Sequence, residues 1–164
     1  MVGTIPEEFY SNLDLEEVIL KSNSFAGSVS SKIGDLSNLQ TFWLSFNQIS
    51  GTIPSTFGNL GNLGELELQN NQIEGSIPPE FGNMGQIDFI SLESNQLNGN
   101  IPSELFGTNL GGLRILYLND NQLSGQIPVN YGSAPRLKDL WLNDNKLTGT
   151  LPIISEGEFL FLGK

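Results

Sequence analysis

Apolar residues return along this chain at fixed intervals. In Leu66-Glu67-Leu68 the alternation of apolar and polar positions is that of a half-buried strand, and the same pair of apolar positions recurs at Val18/Leu20, Phe42/Leu44, Ile90/Leu92, Leu116/Leu118 and Leu140/Leu142. Three residues beyond each pair stands an asparagine: Asn23, Asn47, Asn71, Asn95, Asn121 and Asn145, spaced by 24, 24, 24, 26 and 24 residues. Another apolar residue precedes each Asn by eight: Leu15, Leu39, Leu63, Ile87, Leu113 and Leu137. After each Asn come an apolar residue two on and a glycine four on, as in Ile49/Gly51 and Leu97/Gly99. An aliphatic-proline pair follows at Ile53-Pro54, Ile77-Pro78, Ile101-Pro102, Ile127-Pro128 and Leu151-Pro152, and only Val29-Ser30 departs. Columns held in phase over six periods predict a solenoid.

Each column has a physical reason. A coil of this length cannot bury its own apolar edge, so neighbours must stack, with strands pairing about 4.7–4.9 Å apart. Asparagine suits the turn after the strand because its amide both donates and accepts, whereas ionised aspartate only accepts. Leaving a buried backbone group unpaired there would cost roughly 1–3 kcal/mol. Glycine supplies turn conformations closed to other residues, and proline sits where no strand hydrogen bond is required.

Composition narrows the function. The 164 residues suffice for one domain, spanning 1–164 as about six coils of 24 residues, with 153–164 a cap or a truncated coil. No apolar run is long enough to span a membrane, and no signal segment opens the chain. The start at "MVGTIP" falls mid-coil and suggests an excerpt of something longer. Seven basic against 18 acidic residues, a net charge of −11, argue against nucleic acid as a partner. With neither Cys nor His, the chain has no disulfide, no thiolate or imidazole chemistry and no ordinary zinc site, and no cofactor is expected. No Asn-x-Ser/Thr glycosylation acceptor occurs.

The pattern LxxLxLxxNxLxGxIPxxF resembles the leucine-rich repeat of the plant-type subclass, marked by its GxIP half, over almost the whole chain from Gly3-Thr4-Ile5-Pro6 to Pro152. The resemblance implies an α/β, β-rich fold: a right-handed solenoid with a parallel sheet on the concave side. It implies a second, shorter sheet near the LxGxIP segments and irregular or 3-10 turns on the convex side. It also implies a non-catalytic, extracellular or cell-surface protein, similar to a receptor-like ectodomain or a free repeat protein of plants or algae. The cysteine-paired caps common in secreted relatives are absent, so association through the solenoid ends is expected. The two extra residues near Glu104–Gly112 should bulge as a convex loop, and the tail keeps only Phe161 on a leucine column.

Outward strand positions are free of these constraints, so candidate contacts lie there. They carry both tryptophans, Trp43 and Trp141, together with Phe46, Phe89 and Tyr117, around an acidic middle of Glu65, Glu67, Asp88 and Glu93. Such a face suits a protein or a basic or polar peptide, or a polysaccharide whose rings stack on the aromatic groups. The plainer alternative is aromatic packing on the sheet, with the carboxylates keeping the protein soluble. Glu65 and Glu67, about 7 Å apart on one strand face at ~3.3 Å per residue, overlap the spacing of inverting glycosidases. An open strand face offers neither a cleft nor the burial that would set their pKa values apart. Asp120 and Asp144 could share Ca²⁺ with Asn119 and Asn143, or simply form an acidic edge. Two other roles remain open. One is a scaffold subunit of a larger assembly. The other is ice binding through the row Thr4, Ser28, Thr52, Ser76, Asn100, Gln126 and Thr150.

Overall fold

In a computed structural model the chain winds into a solenoid with two seven-stranded parallel sheets. The structure describes residues 1–110, 112–131, 134, 136–150 and 159–161. The concave sheet comprises Glu17–Ile19, Thr41–Trp43, Glu65–Glu67, Phe89–Ser91, Ile115–Tyr117, Asp139–Trp141 and Phe159–Phe161. The second comprises Val2–Thr4, Ser24–Gly27, Gln48–Thr52, Gln72–Gly75, Gln96–Asn100, Gln122–Gly125 and Lys146–Leu147. In both sheets each strand pairs with its equivalent in the neighbouring coil. On the concave side register repeats the sequence period, with Phe42 beside Leu66 and Leu66 beside Ile90, whereas in the second sheet it is offset by two residues, with Ala26 beside Gln48 and Ser50 beside Gln72.

The asparagine column ties the coils together. Nδ2 of Asn71 donates to the carbonyls of Leu68 and Gln69 in its own coil (3.0 and 3.3 Å) and to that of Leu44 in the preceding one (3.0 Å). Its Oδ1 accepts the backbone N–H of Ile49, also in the preceding coil, at 2.9 Å. Asn47, Asn95, Asn121 and Asn145 repeat the arrangement. The links reach backward to the coil before.

Short 3-10 helices close the convex side at Glu7–Ser11, Ser31–Asp35, Ser55–Asn59, Pro79–Asn83 and Ser103–Phe106. Pro6, Pro54, Pro78 and Pro102 precede four of them with extended backbone, which proline's ring favours. Ser30 adopts the same conformation and explains the one departure from Pro. Its side chain accepts the N–H of Lys32, and its own N–H, which proline would lack, donates to the Tyr10 hydroxyl at 3.2 Å. Phe57, Phe81 and Phe106 are fully buried; Phe57 meets Phe42 and Phe81 edge-to-face at 5.7 and 6.0 Å.

Four features differ from expectation or add to it. The two-residue excess forms an additional 3-10 turn at Thr108–Leu110, because Leu105, Phe106 and Leu110 all find places in the core. In the tail, the backbone pairs Leu160 with Leu140 and Phe161 with Trp141, so Leu160, not Phe161, continues a leucine column. The last interval is shorter than the others; residues 153–158 and 162–164 lie outside the described residues. The residue before each column asparagine has positive φ: Ser22, Phe46, Asn70, Ser94, Asp120 and Asp144, between 53° and 58°. At the other end Met1, Val2, Leu13 and Ile19 are exposed on the first coil.

Replacing Asn71 with Ala deprives two backbone carbonyls of its own coil, and one carbonyl and one N–H of the preceding coil, of a partner. The expected loss is about 3 kcal/mol or more, a fall in Tm on the order of 10 °C by thermal melting. An unchanged Tm would show that the column does not hold the coils together.

Candidate functional site

Alternation within each concave strand decides which side chains face out. In Glu65–Glu67 the central Leu66 is fully buried while both glutamates are half-buried on the open face. The same geometry turns Trp43, Phe89, Tyr117 and Trp141 outward. These residues fall into two groups.

In the first, Trp43 lies beside Glu67 across the sheet, and Lys21 sets its ammonium 4.1 Å from the centre of the Trp43 ring, a cation–π contact. Glu67 accepts hydrogen bonds from Ser45 Oγ (3.0 Å) and Gln69 Nε2 (3.3 Å). Phe46, one turn beyond, is 53% exposed at φ 56°. The other five positive-φ residues of this column are Ser, Asn or Asp, which tolerate that region better than a bulky side chain does. Phe46 therefore bears backbone strain without the return of burial.

In the second group Phe89, Tyr117 and Trp141 run across three successive coils. Phe89 and Tyr117 meet edge-to-face at 5.7 Å, and Tyr117 and Trp141 are tilted by 44° at 4.9 Å. Mutual packing of aromatic groups is thus real here, and the run still leaves Trp141 37% exposed. Beside it, Glu93 accepts the Ser91 hydroxyl. Burial pushes the Glu93 carboxyl above its usual range, the Ser91 hydrogen bond and a backbone one pull it down, and the negative charges of Glu67 and Asp120 push it further up. Burial also raises the Tyr117 phenol, helped by the carboxylates of Asp139 and Glu93.

The acidic middle is smaller than the sequence suggested. Asp88 precedes its strand and pairs at both oxygens with Arg114, Nη2 to Oδ2 at 2.6 Å, which holds its carboxyl below the usual range. Glu65 lines an open groove of about 570 Å³ with Glu16, Gln40, Thr41, Gly64 and Gln86, along the edge where the strands begin. A side chain at Gly64 would meet only the Gln40 carbonyl, at an ordinary 3.6 Å, so the groove comes from a missing side chain and not from a backbone need for glycine. The shared Ca²⁺ arrangement does not form. Asn119 and Asn143 turn their Nδ2 groups toward Asp120 and Asp144, at 2.9 and 2.6 Å, and amide donors there oppose a cation. Among the described residues no three acidic groups converge as metal ligands.

The sequence alone did not single out the partners that complete these groups. Lys21 lies on the outward position two residues from Ile19, diagonal to Trp43, and only pairing across coils reveals the contact. Three buried side-chain atoms among the described residues have no hydrogen-bond partner: Trp43 Nε1, Gln69 Oε1 and Asn119 Oδ1. All three lie on outward positions of the concave side.

Because the folded pKa of Glu93 lies above its unfolded value, the fold favours the protonated form. Ionisation then costs stability as pH rises through the folded pKa. Glu93→Gln is expected to raise Tm at neutral pH and to leave it unchanged below the carboxylate range, as melts at the two pH values will show. A lower Tm at neutral pH would contradict this.

Known proteins agree with this geometry. A leucine-rich-repeat family model matches residues 37–97, and a second one matches 112–133 and 136–156. No curated protein sequence matches the chain. Among solved structures, the Arabidopsis receptor kinase HAESA, in complex with the peptide hormone IDA and the co-receptor SERK1, is 36% identical. The match has a TM-score of 0.88 and covers 92% of this chain and 25% of that one. The BIR3–SERK2 complex from Arabidopsis thaliana matches at 31% identity and TM-score 0.67, over 85% of this chain and 72% of that one. A plant ice-binding protein matches at 28% and 0.64, over 94% of this chain and 64% of that one. The chain spans about a quarter of the length of the receptor structures it resembles. Coil length, asparagine column, GxIP turns, family models and receptor structures lead to one conclusion: the chain belongs to the plant-type leucine-rich repeat family.

Proposed function

We propose that this solenoid is a non-catalytic recognition module that binds a peptide or protein segment along its concave face, outside the cell or at its surface. The observation that carries the proposal is the gathering on that face of the three partnerless buried polar atoms found among the described residues, Trp43 Nε1, Gln69 Oε1 and Asn119 Oδ1. Buried donors and acceptors are nearly always paired, so atoms left over in one strip favour a ligand that pairs them. Phe46 supports the proposal from a different direction, since strain retained at an exposed aromatic residue is typical of a contact residue. The similar HAESA structure is a complex with a peptide hormone, and another similar structure is the plant peptide hormone receptor RGFR1 in complex with RGF2. Trp43, Phe46, Glu67, Phe89, Glu93, Tyr117 and Trp141 are the proposed contacts, with Glu65 at the margin. The net charge of −11 suits a basic segment.

Ice binding is a second reading, favoured by the likeness to a plant ice-binding protein along 94% of this chain. The row it would use runs in one line down the coils, though Asn100 and Gln126 interrupt its small hydroxyls. A Cβ at Gly75 would stand 2.9 Å from Thr52 Cγ2, and the side chains from Thr4 to Gln126 each lie over the next coil's glycine. Thermal hysteresis in a freezing solution separates the two. For the scaffold alternative, with its association through exposed ends, the sign is a solution mass that rises with concentration.

Random peptides displayed on phage and selected on the wild-type chain test the main proposal. Selected peptides are expected to lose at least about tenfold in affinity when Trp43 and Trp141 become Ala, with circular dichroism unchanged. Binding that survives in the folded double variant would remove the concave face from the reading. Phe46→Asn is expected to raise stability by about 1 kcal/mol, because Asn tolerates positive φ, while weakening the same peptides. A lower Tm would mean that Phe46 is held by packing.

A further inference from the structure

Glu93 and Asn119 are neighbours on the concave face. Pairing of Phe89–Ser91 with Ile115–Tyr117 places Ser91 beside Tyr117. The hydrogen bonds continue past the strands, Leu92 N to Tyr117 O at 2.9 Å and Ser94 N to Asn119 O at 3.2 Å, which sets Glu93 beside Asn119. One strand spacing, about 4.8 Å, separates their backbones.

Asn119 offers an acceptor that the protein does not satisfy, and Glu93, which accepts the Ser91 hydroxyl and a backbone N–H, offers a negative charge. Asn119 is 8% exposed; its Nδ2 donates to Asp120 Oδ2, and its Oδ1, on the other branch of the amide, is buried without a donor. Glu93 is half-buried, and the charges acting on it, Glu67 and Asp120, are both negative. A half-buried carboxylate and a partnerless carbonyl oxygen on residues paired across two coils suit a positively charged donor with more than one N–H. A calcium ion would need six to eight oxygens in a shell that this pair does not approach. A guanidinium presents five N–H groups in a planar fork that can serve both acceptors, and its plane can stack on an aromatic ring. Tyr117 pairs with Ser91 across the sheet, the Ser91 hydroxyl donates to Glu93, and the Glu93 charge helps to raise the Tyr117 phenol. Elsewhere on the same face the protein itself sets a cation over an aromatic ring, Lys21 on Trp43.

We infer that Glu93 and the Asn119 side-chain carbonyl form a subsite, walled by Tyr117, for the guanidinium of an arginine side chain. The subsite deepens the peptide-binding proposal and rests on it for the chain that would carry the arginine. It gives that proposal a direction: the arginine falls near the Phe89–Tyr117–Trp141 run, away from Lys21 at the first coil.

The test is a titration of the isotope-labelled 164-residue chain with Nα-acetyl-arginine amide and, separately, Nα-acetyl-citrulline amide, the neutral isostere. The side-chain amide signal of Asn119 is followed by NMR. The arginine probe is expected to shift that signal saturably, and the citrulline probe to bind about tenfold or more weakly, as expected for a lost charge-assisted hydrogen bond. In Glu93→Gln, which keeps an acceptor for Ser91, the arginine probe should fall to the level of citrulline. Equal binding of the two probes to the wild-type chain would overturn the subsite, and so would undiminished arginine binding by Glu93→Gln. Phage-selected peptides that depend on Trp43 and Trp141 yet lack arginine, and bind Glu93→Gln as well as wild type, would remove the subsite and leave the peptide proposal standing. A selection that returns no peptide dependent on the concave face would instead remove the peptide proposal, while the two probes still decide the subsite.

Discussion

One carboxamide per coil holds this solenoid together. Where the chain leaves each concave strand it turns through a residue of positive φ, and the turn frees backbone carbonyls from the strand pattern. The following asparagine satisfies two of them in its own coil, then reaches the preceding coil with the same nitrogen and accepts an N–H from it. Only an amide can do both, since a carboxylate has no donor and a hydroxyl has too little reach. Each bond to the preceding coil is local in space but joins residues 22 to 29 apart in sequence. Stability is therefore passed from neighbour to neighbour, as in other repeat proteins.

That division of labour explains why the concave face is available for recognition. Leucine and phenylalanine columns fill the interior, asparagine settles the turns, and glycine with proline shapes the return on the convex side. None of these constraints touches the outward positions of the strands. Side chains there range from Lys21 to Trp141, with carboxylates, amides and small hydroxyls between them. A rigid sheet holds them at fixed spacing, which limits the entropy lost when a ligand binds.

Much of the architecture was legible because its causes are local and repeated. The asparagine column, the glycine turns and the buried leucines each follow from a residue type at a fixed place in the period. Legibility ended where a side chain answers to another coil. Ser30 looks like a flaw in the GxIP pattern until Tyr10, twenty residues earlier, takes its N–H. Asp88 looks like part of an acidic patch until Arg114, one coil on, pairs with it. Phe46 reads as one more exposed aromatic residue, and only its backbone angle marks it as strained.

By itself, the sequence determined the coil length, the buried columns and the identity of the residue that links the coils, because periodic burial requires the same chemistry at the same position in every turn. Tertiary structure decided the electrostatics and the pairing of the concave face. It set Lys21 over Trp43, gathered Phe89, Tyr117 and Trp141 into one run, and left Asn119 Oδ1 without a donor beside Glu93. These are contacts between side chains some twenty-odd residues apart. They depend on register across the sheet and on which rotamer each neighbour leaves room for, and neither is contained in the pattern of any single coil.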